Sequence, residues 1–363
     1  MKQRLATFSR EWHPAFVLVG LLLLLPLIAA VPLASPIPSV SITASAMYLY
    51  IVGLIVMIAA WIGRGDHWLG AFVAWIGVSL LWSTHLAWVE IGTIIMSAMA
   101  LVILRSLPER HHGLVVGALV ASGLFQVADG LQQLAGYDIL FHGLNQIEPI
   151  PAMFGTTGNS NYLGVYLAMI APLAPWWAVP IFLLGIFLSH SILGAVAVAA
   201  GLLWRVRQDK YLVAFLLSIS VVIAGFVVIA KGSVPLSGFH HRLAVWDLAV
   251  SNMTLIGWLI GEGVGSWSQH IPALQQQMGV YPYEVFYRGH NEWLQILYEN
   301  GIVAVAVLGA WIYAHRRMFS GQYGGAVLAT LVCSVGMFGF RLAMTGCIAV
   351  VILGLATSRR ELC

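Results

Sequence analysis

Long apolar stretches alternate along the chain with short polar connections, and these connections hold most of the Lys and Arg residues. Most of the stretches approach the roughly 20 residues that a helix needs to cross a bilayer. Segments 176–204 and 325–357 are short for two crossings each, so either pair is also compatible with bent or re-entrant helices. The pattern predicts about twelve transmembrane helices, near residues 14–33, 46–62, 68–83, 87–104, 113–134, 159–175, 176–189, 191–204, 211–230, 292–313, 325–340 and 342–357.

The composition supports membrane insertion. Hydrophobic residues occupy 60% of the 363 positions and charged residues only 9%, whereas soluble domains carry about 25% charged residues. We therefore predict an all-α, polytopic integral membrane protein. The first apolar stretch is long for a signal peptide and many spans follow it, so we interpret it as a retained helix. The small excess of 17 Lys and Arg over 14 Asp and Glu does not indicate nucleic acid binding.

The distribution of positive charge predicts the orientation of these helices. If both termini are cytoplasmic, thirteen cations lie inside and four outside, which agrees with the positive-inside rule. The inner set is Lys2, Arg4, Arg10, Arg64, Arg105, Arg110, Arg205, Arg207, Lys210, Arg316, Arg317, Arg359 and Arg360, and the outer set is Lys231, Arg242, Arg288 and Arg341. The expected location is a cytoplasmic (inner) membrane crossed many times.

One outer connection, residues 231–291, is long enough to have a function of its own. It contains "HHRLAVWDLAVSNM", an amphipathic stretch with apolar positions at Leu243, Trp246, Leu248 and Val250. We predict a single membrane domain over residues 1–363, with this extracytoplasmic loop and its short amphipathic helices inserted before the 292–313 helix.

The entry to that helix is unusually polar, with the sequence "YRGHNEWLQILYENG" at 287–301. Arg288, Glu292, Gln295 and Glu299 are spaced by four, three and four residues, so they share one helix face, which we call the polar stripe. Glu299 lies roughly 12 Å inside a helix that begins near residue 291, where lipid exposure would cost several kcal/mol. Gln295 and Glu299 must therefore pack against other helices or face a polar cavity, and we expect an outward-open cavity that also contains Arg242.

Three neighbouring features suggest chemistry at this point. Asn291 is suited to cap the helix and Glu292 to its first turn, which puts His290 at the mouth of the expected cavity. Arg242 opens the amphipathic stretch of the outer loop and Arg288 closes that loop, and guanidinium groups are natural donors to phosphate. Lipid headgroups, or pairing with acidic residues of the loop, are the alternatives for these cations. Arg341 lies either at the outer interface or buried with a partner.

A second outer segment, "FGTTGNSNYLG", begins at Phe154. Gly155, Gly158 and Asn159 suit a tight turn, and Asn161 is suited to cap the helix that follows. The segment lacks the Gly-Lys-Ser/Thr ending of a nucleotide-binding loop. Zinc-type His spacing, an Asp-x-Asp pair and paired CxxC motifs are also missing from the sequence, so we expect an outer-face activity without metal or cofactor.

Three stretches, taken in order, resemble the O-antigen ligase and O-antigen polymerase superfamily of bacterial membrane glycosyltransferases. They are the Gly-rich segment with Asn-x-Asn, the Arg-x-x-x-Trp helix with a following Gly-x-Gly turn, and the His-Asn helix start. In this chain they read "FGTTGNSNYLGVYLAMIAPL", "HHRLAVWDLAVSNMTLIGWLIGEGVGSW" and "GHNEWLQILYENGIVAV". The resemblance covers roughly residues 155–313.

The resemblance implies a GT-C-like membrane fold and a reaction of lipopolysaccharide or polysaccharide biosynthesis. A glycan would pass from a polyprenyl (undecaprenyl) diphosphate carrier to a hydroxyl of a glycolipid or glycan acceptor at the periplasmic face. By the family motif, His290 would be the catalytic base and Arg242 a pyrophosphate ligand; Arg288 is our addition to that set. Supporting roles would fall to Asn291, Glu292, Glu299, Asn159 and Asn161.

The chain departs from the family at one position. Where the family often has Ser-Arg-Gly, this chain has "LSHSILGAV", with Ile192 or Leu193 in place of the Arg. Either His190 or Arg341 replaces that cation, or the donor is held differently.

Two groups of alternatives remain open at the level of sequence. Within the family, a polymerase or a protein O-oligosaccharyltransferase shares the same donor chemistry with a ligase. From another class, a transporter or flippase for lipid-linked glycans would use Glu299 and Asp129 as coupling sites in the membrane.

Overall fold

The computed structural model describes residues 66–79, 88–138, 152–209, 237–280, 284–337 and 343–358, with Trp82, Leu140 and Arg341 as single residues. Every regular element in these ranges is helical, as predicted for an all-α protein. The α-helices are α1 (His67–Ser79), α2 (Trp88–Arg105), α3 (His112–Leu134), α4 (Ser160–Ile170), α5 (Val179–Leu188), α6 (Ile192–Arg205), α7 (Ser237–Ser251), α8 (Leu255–Ile260), α9 (Trp267–Met278), α10 (Glu292–Ala314), α11 (Gly324–Gly336) and α12 (Ala343–Ala356).

Nine of the predicted apolar helices fall on described residues, and each is found as a helix within a few residues of its expected bounds. The predictions near 14–33, 46–62 and 211–230 lie outside the described residues. The α-helix expected over 159–175 already ends at Ile170, because Pro172 lacks the N–H that would continue it and a 3₁₀ turn follows.

Helix length separates candidate membrane crossings from shorter helices. Among the described residues, two helical segments are both long and apolar enough to span a bilayer, Glu109–Leu134 and Glu292–Ala314. Helices α4, α5, α6, α11 and α12 have 10 to 14 residues, which is about 15–21 Å against a hydrocarbon core of about 30 Å. Twelve full crossings therefore stay a prediction.

Contacts between helix ends define two ends of the bundle. At one end, Arg105 at the end of α2 binds Asp66 before α1 and donates to the carbonyl of Thr357 after α12. Trp311 of α10 donates to Asp66 as well, at 3.0 Å. We call this the basal end. The opposite end, which holds Arg242, Arg288, His290 and Arg341, is called the site end.

Helix α4 lies in the centre of the main core. All of its residues from Leu163 to Ile170 are buried, which is the pattern of a helix that is apolar on every side and enclosed by other helices. Its neighbour α6 approaches it very closely at Gly194, where an added Cβ would lie 2.7 Å from the backbone of Gly164. Glycine at this contact therefore permits the tight pairing of the two helices.

The outer loop folds into α7, α8 and α9, which form a second apolar cluster around Trp267. The buried face of α7 is rotated from the predicted one. Leu248 is buried as expected, but Val245 and Ala249 complete the face, and Leu243 is 41% exposed. The cluster also takes in Tyr298 from α10, so the first part of α10 packs with the loop.

Helix α10 is broken at Gly301, whose φ of 71° and ψ of −178° are not helical. Helix α8 packs against the break, and Gly261 has its own positive φ of 83° at the contact. The break deprives carbonyls of their helical partners, and nearby groups replace these. Backbone N–H groups of residues 262 and 263 donate to the carbonyls of 298 and 299, and the Trp75 indole donates to that of Asn300 at 2.8 Å.

Candidate functional site

His290 lies at the junction between the outer loop and α10. Asn291 caps α10 as predicted, since its Oδ1 accepts the backbone N–H of Leu294 at 3.1 Å, a contact that typically stabilises a helix by about 1 kcal/mol. The backbone of His290 has a φ of 48°, in the left-handed region that non-glycine residues seldom occupy. Its imidazole meets the Phe286 ring edge-on, with centroids 5.6 Å apart.

The peptide groups of Gly289 are held from two sides. The Trp246 indole N–H of α7 donates to the Gly289 carbonyl at 2.5 Å, and the Gly289 N–H donates to Oε1 of Gln295 at 3.0 Å. The residue before the histidine is thus fixed by side chains of two different helices.

Arg242 of α7 stands close enough to His290 for their charges to interact. Its Nη1 donates to the Gly336 carbonyl at the end of α11, at 3.2 Å. Burial of the imidazole, and next the charge of Arg242, lower the pKa of His290 to about 4. The imidazole is therefore neutral over the whole physiological pH range. Arg242 also interacts electrostatically with Tyr162 in the first turn of α4, which joins the second outer segment to the site.

We expected the polar stripe to face an outward-open cavity, but its two deepest residues do not. Gln295 and Glu299 are fully buried in protein. Gln295 donates to Oε1 of Glu299 at 2.8 Å, and Arg341 binds both acids of the stripe, Glu299 at 3.0 Å and Glu292 at 3.1 Å. Helix packing thus satisfies the two deepest groups, because a buried carboxylate is stable only with a partner. Arg341 is that partner, so of the two positions considered for it, the buried one is correct.

An apolar groove runs between α1, α2, α10 and α12. Its walls are apolar side chains such as Phe72, Ile94, Ile296 and Leu353, and it extends toward Trp311 near the basal end. Its charged lining residues, Glu90, Arg288, Glu292 and Arg341, lie toward the site end. The groove therefore has the form that an amphiphile with one charged head requires.

Two guanidinium nitrogens at the head of the groove have no hydrogen-bond partner within the described part of the chain. They are Nη1 of Arg288 and Nη1 of Arg341, and both are buried. Arg288 is otherwise paired with Glu90 of α2 at 3.0 Å, and Arg341 with the two acids of α10. A buried donor left without a partner is costly, so these two N–H groups indicate an acceptor that the described residues do not supply.

The second outer segment is built as a turn, with one change from the prediction. Asn159, and not Asn161, caps α4, since its Oδ1 accepts the Asn161 N–H at 2.9 Å. Gln126 and Gln133 of α3 bind the backbone at Thr156 and Gly155 and fix the segment to the core. Both asparagines are exposed.

His190 occupies the turn between α5 and α6, at the same end of the bundle. Its side chain is exposed and its φ is 55°. His190 is not among the described residues that line the groove, whereas Arg341 is. Of the predicted site residues, Arg288, Glu292 and Arg341 line the groove, whereas Arg242 and His290 are not among its described lining residues, so the expected cavity that contains Arg242 is not found. Arg242 is placed near His290 by their electrostatic interaction.

Two residues of the site were not predicted from the sequence. Glu90 is the partner of Arg288, although loop acids were the expected partners; its signal was a single acid in the otherwise apolar helix 87–104, which is a functional position by default. Trp246 was interpreted as an apolar position, and its role as a donor to Gly289 has no sequence signature beyond the Arg-x-x-x-Trp spacing.

Within the ranges that the structure describes, no group of three His, Cys, Asp or Glu residues is arranged to hold a metal ion. Comparison of the chain with models of protein families and with curated proteins gives no match.

Proposed function

We propose that this protein is a membrane glycosyltransferase of the O-antigen ligase type. It would transfer a glycan from a polyprenyl-diphosphate carrier to an acceptor hydroxyl at the outer face of a bacterial inner membrane. The observation that carries the proposal is the apolar groove whose head holds two guanidinium N–H groups without partners among the described residues; two of its lining residues, Arg288 and Glu292, flank His290 in the chain.

The donor would use both parts of the groove. Its polyprenyl chain is an apolar tail that matches the walls, and burial of such a tail contributes about 25 cal/mol per Å² removed from water. Its diphosphate would accept from Arg288 and Arg341, with Arg242 on the His290 side. Guanidinium-to-phosphate contacts are charge-assisted and among the stronger hydrogen bonds. In this arrangement Arg341 supplies the cation that the family has at Ile192.

The transfer step follows from the position of a neutral imidazole. The acceptor oxygen forms a bond to the anomeric carbon and releases its proton to His290. The bond between that carbon and the diphosphate oxygen breaks, and its electron pair leaves with the polyprenyl diphosphate. The arginines stabilise this leaving group, which is an electrostatic contribution. A bound diphosphate also opposes the charge of Arg242, which raises the pKa of His290 from its low value toward the range in which a general base is effective.

Purified protein in lipid nanodiscs, with a synthetic polyprenyl-diphosphate oligosaccharide, tests the proposal. His290→Ala should abolish donor consumption, and His190→Ala should not. The control is closely matched, because both histidines have left-handed backbone and precede a helix cap. Donor consumption by His290→Ala at the wild-type rate would contradict the proposal.

The acceptor separates three enzymes with this donor chemistry. The same assay, given a glycolipid acceptor, a second lipid-linked glycan or a Ser-containing peptide, distinguishes a ligase, a polymerase and a protein O-oligosaccharyltransferase by the molecule that gains the glycan.

Membrane orientation is part of the proposal and has its own test. We propose about twelve spans with both termini cytoplasmic and the site end in the periplasm. Gln277 in α9 and Ser320 near the basal end are both exposed. In a background without native cysteines, an impermeant thiol reagent added to intact spheroplasts should label Gln277→Cys and spare Ser320→Cys; the opposite pattern would invert the orientation.

One observation favours a second candidate, a transporter or flippase for lipid-linked glycans. Broken helices near buried charges are common in transporters, and α10 is broken two residues after the buried Glu299. A transporter would move a fluorescent lipid-linked glycan across proteoliposomes without cleaving it, and would retain that activity in His290→Ala.

A further inference from the structure

The left-handed backbone of His290 points to residues that act on catalysis indirectly. We infer that Trp246 and Gln295 are positioning residues, which clamp the Gly289 peptide groups between α7 and α10 and so hold the His290 imidazole in place for proton transfer. The inference rests on the proposed function, because it assigns roles relative to a catalytic His290.

A single residue with a φ of 48° is unfavourable for histidine and persists only where its surroundings determine it fully. The contacts of Gly289 fix this backbone conformation. Both of its backbone groups are bound by side chains, the carbonyl by the Trp246 indole and the N–H by Gln295. On the other side of the histidine, Asn291 is fixed as the cap of α10. The flanking residues on both sides of His290 are therefore held, and the chain between them has little freedom.

The residue types fit this clamp. An added Cβ at Gly289 would lie 3.3 Å from side-chain atoms of both Trp267 and Gln295, which is closer than usual packing. Gln295 needs an acceptor for the Gly289 N–H and a donor for Glu299 at once. Only a side-chain amide of this length provides both, since glutamate lacks the donor and asparagine is one methylene shorter.

The clamp is continuous with the head of the groove. From Gln295 the hydrogen bonds pass to Glu299 and then to Arg341, whose guanidinium lines the groove. All three side chains are at least nine-tenths buried. The position of His290 is thus tied, through buried contacts, to a cation that we assign to the donor diphosphate.

Two substitutions remove the clamp from opposite sides. Trp246→Phe keeps an aromatic ring but deletes the indole donor, and Gln295→Met keeps the length of the side chain but deletes both polar contacts. With the donor held by the arginines, each variant should lower kcat roughly 10- to 100-fold while the KM for the donor changes less than about threefold, because misplacement of a reacting group by about 1 Å costs up to about 10²-fold.

The pH profile gives a second readout that a purely structural role would not change. Release of the clamp lets the imidazole move away from its buried place beside Arg242. The acid limb of kcat/KM should then shift upward in both variants, from near 4 in the wild type toward the ordinary histidine value of about 6.5.

Trp204→Phe is the matched control. The Trp204 indole donates to the Phe319 carbonyl at 2.6 Å, the same kind of contact at the basal end. This variant should keep the wild-type kcat and acid limb. An equal loss in Trp204→Phe would overturn the inference, because the effect would then reflect the loss of any such contact.

Failure of the inference can be told apart from failure of the proposed function. If His290→Ala is inactive but Trp246→Phe and Gln295→Met keep the wild-type kcat and acid limb, the clamp has no positioning role and the proposed function stands. If His290→Ala remains active, the proposed function fails, whatever the clamp variants do. If Gln295→Met does not fold, the kcat and acid limb of Trp246→Phe alone test the positioning role.

Discussion

Two turns that lead into helices in this protein share the same local backbone geometry and differ in their tertiary contacts. At each, a left-handed histidine directly precedes a helix cap: His190 has a φ of 55° before Ser191, and His290 a φ of 48° before Asn291. The caps are alike too, since Ser191 accepts the N–H of Gly194 and Asn291 that of Leu294, both at 3.1 Å. The motif by itself is a way to turn the chain into a helix.

The surroundings make the difference. The residue before His190 is Ser189, whose hydroxyl donates back to the carbonyl of Ile186 in its own helix, and the His190 side chain is exposed. The residue before His290 is held by two other helices, and the imidazole is largely buried beside Arg242. A strained histidine thus becomes a candidate for catalysis only where tertiary contacts fix it and a charge acts on it.

The largest expected difference between the two junctions is in activity. Glycine adopts left-handed backbone without steric cost, so the His290→Gly variant should fold although it lacks the imidazole. Glycan transfer should fall by about 10²- to 10⁴-fold, the usual contribution of a general base. His190→Gly should transfer at the wild-type rate in the same nanodisc assay. Equal losses at both positions would break the comparison.

The second difference is in the ion pairs that support the His290 junction. Arg341→Met leaves Glu292 and Glu299 buried without their cation, so the free energy of unfolding in mixed micelles should fall by about 3–5 kcal/mol. For the other junction we expect a loss of only about 1 kcal/mol from Ser191→Ala, through its cap. A small effect of Arg341→Met would mean that the acids have another partner.

The third concerns donor binding. Arg288→Gln keeps a polar side chain but removes the charge at the head of the groove. The donor KM should rise about 10- to 100-fold, since a hydrogen bond to a charged group is worth about 1.5–3 kcal/mol. His190→Gln is the counterpart and should leave the KM unchanged. A rise of the donor KM in both variants would indicate that His190 also binds the donor.

The fourth is the pH dependence of the reaction. The free site has a His290 pKa of about 4, so kcat/KM should stay level as the pH falls from 7 to about 5 and decline below about 4. The acid limb of kcat should lie at higher pH, because the bound diphosphate raises the pKa of the imidazole in the complex. Coincident limbs would argue that the diphosphate does not bind near His290.

The smallest effect is the release of backbone strain. His190→Gly should raise the free energy of unfolding by up to about 1 kcal/mol, which is the left-handed strain less the entropic cost of glycine. The thermal midpoint of the detergent-solubilised protein measures it. A clear loss of stability would show that the exposed histidine makes contacts that matter for folding.

Local features of the site were predictable from sequence and distant pairings were not. The start of α10 and its Asn291 cap follow from a polar residue ahead of an apolar run, and the resemblance placed Arg242 near His290. The depth argument for Glu299 excluded lipid correctly, but it could not choose between a cavity and a partner. That partner, Arg341, is 42 residues away along the chain, and no local pattern encodes such a contact.

The break in α10 shows the same limit. "ENGIV" reads as a continuation of an apolar helix, because glycine within a helical pattern is tolerated. The positive φ of Gly301 arises from the approach of α8, which lies about forty residues earlier in the chain and whose Leu259 carbonyl occupies the space of a side chain. Length and hydropathy likewise predicted where helices lie, but could not distinguish a full crossing from a shorter helix packed inside the bundle.

That break also separates two parts of α10 that pack in different apolar clusters. Residues 292–300 share the apolar cluster of the outer loop through Tyr298, whereas Trp311 belongs to the core of the bundle. Local opening of a protein follows such packing units rather than helix boundaries. The segment that follows His290 would therefore open and close with the outer loop on its own timescale, while the lower half of the same helix stays with the bundle. Order at His290 would then be set by the loop, and a chain that loses its loop packing would keep the apolar groove but lose the fixed position of this histidine.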